Sequence, residues 1–121
     1  MSQQEIIALF DQWNEALKTL DADKVSALYD HNALLMPTMS EINRFNRAEI
    51  NDYFISFLQS HPRAELIESS IKVDQALAVH SGVYRFSFKD MPSVRARFTF
   101  VYQKGEQGWR IAQHHSSRQP D

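Results

Sequence analysis

The chain has 121 residues, 43% of them hydrophobic and 23% charged, with a formal net charge of -2. That length holds one domain, residues 1–121, and the composition is that of a globular chain rather than a disordered one. The near-balanced charge and the lack of a long basic run argue against a nucleic-acid binder held by phosphate contacts. With no cysteine, disulfides and thiolate metal sites are excluded.

No apolar run approaches the ~20 residues that a membrane helix needs. The opening Met-Ser-Gln-Gln-Glu has no charged-then-apolar pattern, so a cytoplasmic location is expected. Ile6, Leu9, Phe10, Trp13 and Leu17 recur at helical spacing and predict an amphipathic first helix, with Ser2 and Glu5 at capping-box spacing. After a break at 19–21, Val25, Leu28 and Tyr29 predict a short second helix capped by Asp21 or Asp23. Ala33-Leu-Leu-Met36 reads as a strand ended by Pro37. Asn46 and Glu49 open a third helix with Ile50, Tyr53, Phe54, Phe57 and Leu58 on one face, stopping before His61-Pro62.

From Ala64 the apolar period shifts toward two. Strands are expected over 64–73, 77–88, 94–103 and 109–117, as an antiparallel meander. Helices early and strands late make the class α+β, with helices covering one face of the sheet. Strict alternation puts Phe98, Phe100 and Tyr102 on one side of their strand. On the last strand it puts Trp109, Ile111, Gln113 and His115 opposite Arg110, Ala112, His114 and Ser116. Both faces carry apolar residues, so the second face is expected to be covered by another copy of the chain.

This order of elements resembles the nuclear transport factor 2-like superfamily, the cystatin-like α+β cone in which N-terminal helices pack on a strongly curved antiparallel sheet. The ending Gly108-Trp109-Arg110-Ile111, His115-x-Ser117 and Pro120 is similar to the SnoaL-like families. It is closer still to the association (hub) domain of calcium/calmodulin-dependent kinase II and its stand-alone bacterial relatives. Glu5-Ile6-Ile7 and Ala33-Leu-Leu-Met-Pro37 resemble them too. The resemblance implies a pocket inside the cone, arginine-rich in kinase hubs. Arg85 stands at one such arginine position, but Phe100 and Ser116 stand at the other two, which puts an identical anionic ligand in doubt.

Four groups carry candidate chemistry. His114 and His115 offer a base near neutral pH, but neighbours on a strand point to opposite faces; His114 suits a pocket and His115 with Ser117 an interface. Arg85 suits an anion, or else an ion pair with Asp11 or Glu15 on the first helix. Trp13, Tyr29, Tyr53 and Phe54 are pocket wall or core. The late strands carry almost no inward carboxylate for ketosteroid-isomerase-type chemistry, since Asp74 and Asp90 fall at turns and Glu106 in a loop, and the five histidines show no metal-ligand spacing.

The leading expectation is a binding or scaffolding domain, a homodimer or a ring of dimers, with a semi-polar pocket for a small, anionic organic ligand. Arg85 would anchor the ligand, His114 would hydrogen-bond it, and Trp13, Tyr29, Tyr53, Phe98 and Phe100 would form the wall. No cofactor, metal, nucleic acid or membrane partner is expected. The alternative is a SnoaL-like or ketosteroid-isomerase-like enzyme moving a proton on a polyketide-like or steroid-like substrate, with His114 or His115 as base.

Overall fold

The computed structural model describes residues 3–38 and 40–120. In chain order the elements are α1 (Gln3–Lys18), α2 (Ala22–Ser26), β1 (Tyr29–Met36), α3 (Arg47–Phe57), a 3-10 turn (Leu58–Ser60), β2 (Arg63–Asp74), β3 (Leu77–Ser87), β4 (Val94–Gly105) and β5 (Gly108–Arg118). The Ser2 cap expected for α1 lies outside the described residues. No helix is long and apolar enough to cross a membrane among the described residues.

The helices form where spacing and caps agree. Ile6, Phe10, Trp13 and Leu17 are the buried stripe of α1. Asp21 caps α2 by accepting from the Asp23 amide at 2.9 Å. Asn46 caps α3 by accepting from the Glu49 amide, while the Glu49 carboxylate accepts from the Phe45 amide. The chain then turns at His61, whose φ of 53° is left-handed and ends the helical path before Pro62.

α2 is shorter than the apolar spacing implied: it ends at Ser26, and Tyr29 is the first residue of β1. The sheet order is β1-β5-β4-β3-β2. β2 to β5 form the expected antiparallel meander, but β1 joins β5 in parallel, so the sheet is mixed rather than wholly antiparallel. α3 carries the chain from β1 at one edge of the sheet to β2 at the other, and the meander then brings β5 back beside β1, the long connection that a parallel pair requires.

Irregularities in pairing fall between Leu66 and Glu68 on β2 and between Ile111 and Gln113 on β5. Such bulges bend a sheet and raise its twist. At the first, the β2 backbone presses on Gly82: a Cβ built there would lie 2.0 Å from the Glu68 carbonyl oxygen. The second overturns strict alternation on β5. Ile111 pairs with Tyr102 and turns inward alongside His114 and Ser116, instead of outward with Gln113 and His115.

The helices lie over the inner face, where Ala78, His80, Tyr84, Phe86, Phe98, Phe100 and Tyr102 are buried against Ile6, Phe10, Trp13 and Phe54. Burying an aromatic side chain is worth roughly 2–3 kcal/mol, so this aromatic layer dominates the core. Rings meet in stacked and edge-on pairs, among them Trp13 on Tyr84 at 6.1 Å and Phe100 on His114 at 4.0 Å.

Candidate functional site

The largest part of the interior's polar chemistry is one continuous chain of hydrogen bonds; His80 stands apart from it, bonded to Ser69. The Trp13 indole N–H donates to the Tyr29 hydroxyl at 3.1 Å, and that hydroxyl is 2.9 Å from Nδ1 of His114. Nε2 of His114 lies 3.1 Å from the Tyr84 hydroxyl, which donates its only proton to Oγ of Ser116 at 2.7 Å. Ser116 in turn shares a hydrogen bond with the Thr38 hydroxyl. Because the Tyr84 proton is committed to Ser116, its oxygen accepts from His114. The imidazole therefore carries its proton on Nε2 and accepts the Tyr29 proton at Nδ1. Every link from Trp13 to Ser116 then runs in one direction, away from α1.

No member of this chain is ionised near neutral pH. Burial lowers the pKa of His114 to about 3, with a smaller push from neighbouring His115. Burial raises both Tyr29 and Tyr84 well above the usual phenol value, the former despite the bond from Trp13 and the latter despite the bond to Ser116. Among the described residues the buried polar side chains are Ser26, His80, His114 and Ser116, so no carboxylate or cation is buried in the cone. Nor do the described residues group three His, Asp or Glu side chains so as to hold a metal.

The network borders a cavity lined by Trp13, Thr38, Tyr53, Tyr84, His114 and Ser116 together with Leu35, Pro37, Phe54, Phe57 and Phe86. Its volume is about 20 Å³, the room that one water molecule needs. A small organic ligand needs a pocket of about 300 Å³ or more. The aromatic rings have filled the space that the sheet and helices enclose.

The residues expected at the site divide three ways. Trp13, Tyr53 and His114 line the cavity. Tyr29, Phe98 and Phe100 are buried behind it as core. Arg85 and His115 lie on the outer face of the sheet, because β3 turns Tyr84 and Phe86 inward and β5 turns His114 and Ser116 inward. Arg85 pairs with Glu65 directly across on β2 at 2.5 Å, not with Asp11 or Glu15 of α1, both of which are exposed. It is therefore not placed to anchor a ligand inside the cone.

Sequence reasoning passed over Tyr84, Ser116 and Thr38 as site residues. Alternation offered a signal for two of them, since Tyr84 shares a side with Phe86 and Ser116 with His114. Thr38 offered none, being brought in by the turn after Pro37.

The family model of the calcium/calmodulin-dependent protein kinase II association domain matches residues 2–120. No curated protein matches the chain. A solved structure from Xanthomonas campestris, named as a candidate association domain of that kind, is 39% identical. The match has a TM-score of 0.96 and covers 100% of this chain and 90% of that one. More distant structures share the fold alone. A nuclear transport factor 2-like protein of unknown function from Pseudomonas putida is 17% identical with a TM-score of 0.86, covering 98% of this chain and 87% of its own. A candidate dehydratase of the same fold from Streptomyces avermitilis is 12% identical with a TM-score of 0.85, covering 98% and 96%. The cone of helices on a bent sheet, and the family match over nearly the whole chain, place it plainly: it has the fold of nuclear transport factor 2-like proteins and belongs to the calcium/calmodulin-dependent protein kinase II association-domain family.

Proposed function

We propose that this chain is a self-associating scaffold domain, built to pack against copies of itself through the outer face of its sheet as a homodimer or a ring of dimers. The observation that carries the reading is the chemistry of that face. Its middle is apolar or hydroxyl-bearing, with Val79, Val83 and Val101 around Ser81 and Thr99, the last two joined by a hydrogen bond of 3.0 Å. The helices pack on the other side, and Val83 is 7% exposed yet stands apart from the main core. Four strands of about 11 residues span about 19 by 36 Å, or roughly 700 Å². That is close to the ~800 Å² per partner of a stable interface.

The interior lends less support to ligand binding or catalysis. It is filled by aromatic rings, its histidines His80 and His114 are held neutral, and the cavity beside His114 suits a water. The proton-transfer alternative asks for a carboxylate or a protonable histidine in the cone, and neither is among the buried described residues. The polar chain from Trp13 to Thr38 serves to fix one arrangement of the core, because a satisfied buried network rigidifies its surroundings.

Light scattering coupled to size exclusion tests this reading. The parent is expected at a multiple of its 14.1 kDa chain mass. Val79→Glu with Val101→Glu is expected at one chain mass with an unchanged far-ultraviolet spectrum, since both positions are partly exposed. A parent that is monomeric at tens of micromolar overturns the proposal.

A further inference from the structure

We infer that two copies meet face to face about a two-fold axis running along β3, held in register by Glu68 and Glu65 of each copy against Arg97 and Arg95 of the other. The inference rests on the self-association reading above and goes further by fixing the axis and the residues.

The pairing registers align the outer face in rows across the sheet. Glu68, Val83 and Arg97 form one row on β2, β3 and β4; Glu65, Arg85 and Arg95 form the next. Ser70, Ser81 and Thr99 lie beyond, then Lys72, Val79 and Val101. Residues directly opposite in a ladder share a face. Acidic groups therefore flank β3 on one side, and basic groups flank it on the other, in the same two rows.

Within one chain this pattern is unsatisfied. Arg95 sits opposite Arg85, and like charges directly opposite destabilise a sheet. The ion pairs among the described residues are Arg85–Glu65 and Lys18–Glu15, so Arg95, Arg97 and Glu68 have no charged partner of their own. All three are exposed.

A rotation of 180° about β3 carries β2 of one copy over β4 of the other, so β2, β3 and β4 overlap, about 14 by 36 Å of the outer face, and β5 lies at the rim of the contact. Glu68 then faces Arg97 of the partner copy, Glu65 faces its Arg95, and each contact occurs twice, as an isologous interface demands. On the axis, Val79, Ser81 and Val83 meet their own counterparts, which makes an apolar and hydroxyl centre, and Arg85, also on the axis, meets its counterpart at the end of that centre with its charge offset by Glu65 of its own chain. Facing sheets pack about 10 Å apart with strands within about 30° of each other, a gap that Arg and Glu side chains bridge. Axes across the strands do not place the acidic side against the basic side in this way. Complementary rim charges choose between such arrangements more than they add affinity.

The experiment uses two single charge reversals in the full chain. Arg97→Glu puts two acidic groups against each other at both contacts, and Glu68→Arg does the same with basic groups. Each variant is expected to dissociate at least tenfold more readily than the parent by sedimentation velocity, and an equimolar mixture is expected to recover the parental dimer. Should either variant not keep the parental circular dichroism, Arg97→Gln and Glu68→Gln take its place. They are expected to flatten the salt dependence of dissociation, because exposed charge pairs are screened by salt.

Variants that associate as the parent does, a mixture that fails to recover, or an unchanged salt dependence in the neutral variants would overturn the charge register while leaving self-association standing. A parent that is itself monomeric removes the reading beneath it.

Discussion

Stability should fall steeply in acid, because the fold buries two histidines in neutral form. Burial lowers the pKa of His80 to about 4 and of His114 to about 3, against about 6.5 in an unfolded chain. Both shifts are downward, so the unfolded chain binds protons that the folded chain refuses. Stability is therefore full above about pH 6.5 and is lost as the pH falls toward the two folded values. With both sites titrating only in the unfolded chain, the slope between about pH 6 and pH 4 approaches about 2.7 kcal/mol per pH unit. Integrated over the full window, His80 accounts for about 3 kcal/mol and His114 for about 5 kcal/mol, on the scale of a whole domain's stability of about 5–15 kcal/mol. Urea titrations at fixed protein concentration, from pH 7.5 to pH 4.5, measure the slope; fixing the concentration matters because association adds to apparent stability. His80→Gln with His114→Gln should start less stable at pH 7.5 and lose most of the acid dependence. A parent with level stability from pH 7 to pH 5, or a slope the double variant leaves untouched, would refute the reasoning.

Other perturbations test separate parts of the fold. Tyr84→Phe removes the acceptor of the His114 Nε2 proton and should cost about 2 kcal/mol, the penalty for a buried unpaired donor, read as a lower melting temperature. Gly82→Ala drives a methyl group into the Glu68 carbonyl and should cost about 3 kcal/mol through forced backbone movement; a neutral result in denaturant titration would mean the bulge does not press there. Phe100→Ala, which empties a ring space in contact with Trp13 and His114, should cost about 4 kcal/mol by the same titration. Arg85→Ala loses one exposed ion pair and should change stability by less than about 1 kcal/mol; a larger loss in thermal unfolding would show that Arg85 does more than meet Glu65.

How far the sequence could be read depended on which interaction decided each feature. The stripe from Ile6 to Leu17, the Asn46 cap and the meander of β2 to β5 are local patterns, and local patterns survive folding. The end of α2 is not local: Tyr29 fits helical spacing, yet its hydroxyl is drawn into the cone by Trp13 and His114, and its backbone goes into β1. The parallel pairing of β1 with β5 joins residues about 80 apart, beyond any periodicity. The β5 irregularity between Ile111 and Gln113 turns Ile111 to the same side as His114 and Ser116, a change that alternation has no means of announcing. The site was legible in composition more than in geometry. His114 and the aromatic wall could be named, whereas the placing of Arg85 outside followed from the same alternation that put Tyr84 and Phe86 inside. Equating a family arginine position with a pocket obscured that point. What no single sequence displays is that large rings at Phe98, Phe100 and Tyr84 fill the cone they line.

The central claim is that the outer sheet face holds copies of this chain together. Sedimentation velocity of the unaltered chain across micromolar concentrations measures it most directly. The account predicts a species of two chain masses or an even multiple of them; a single species at one chain mass, 14.1 kDa, throughout that range would contradict it.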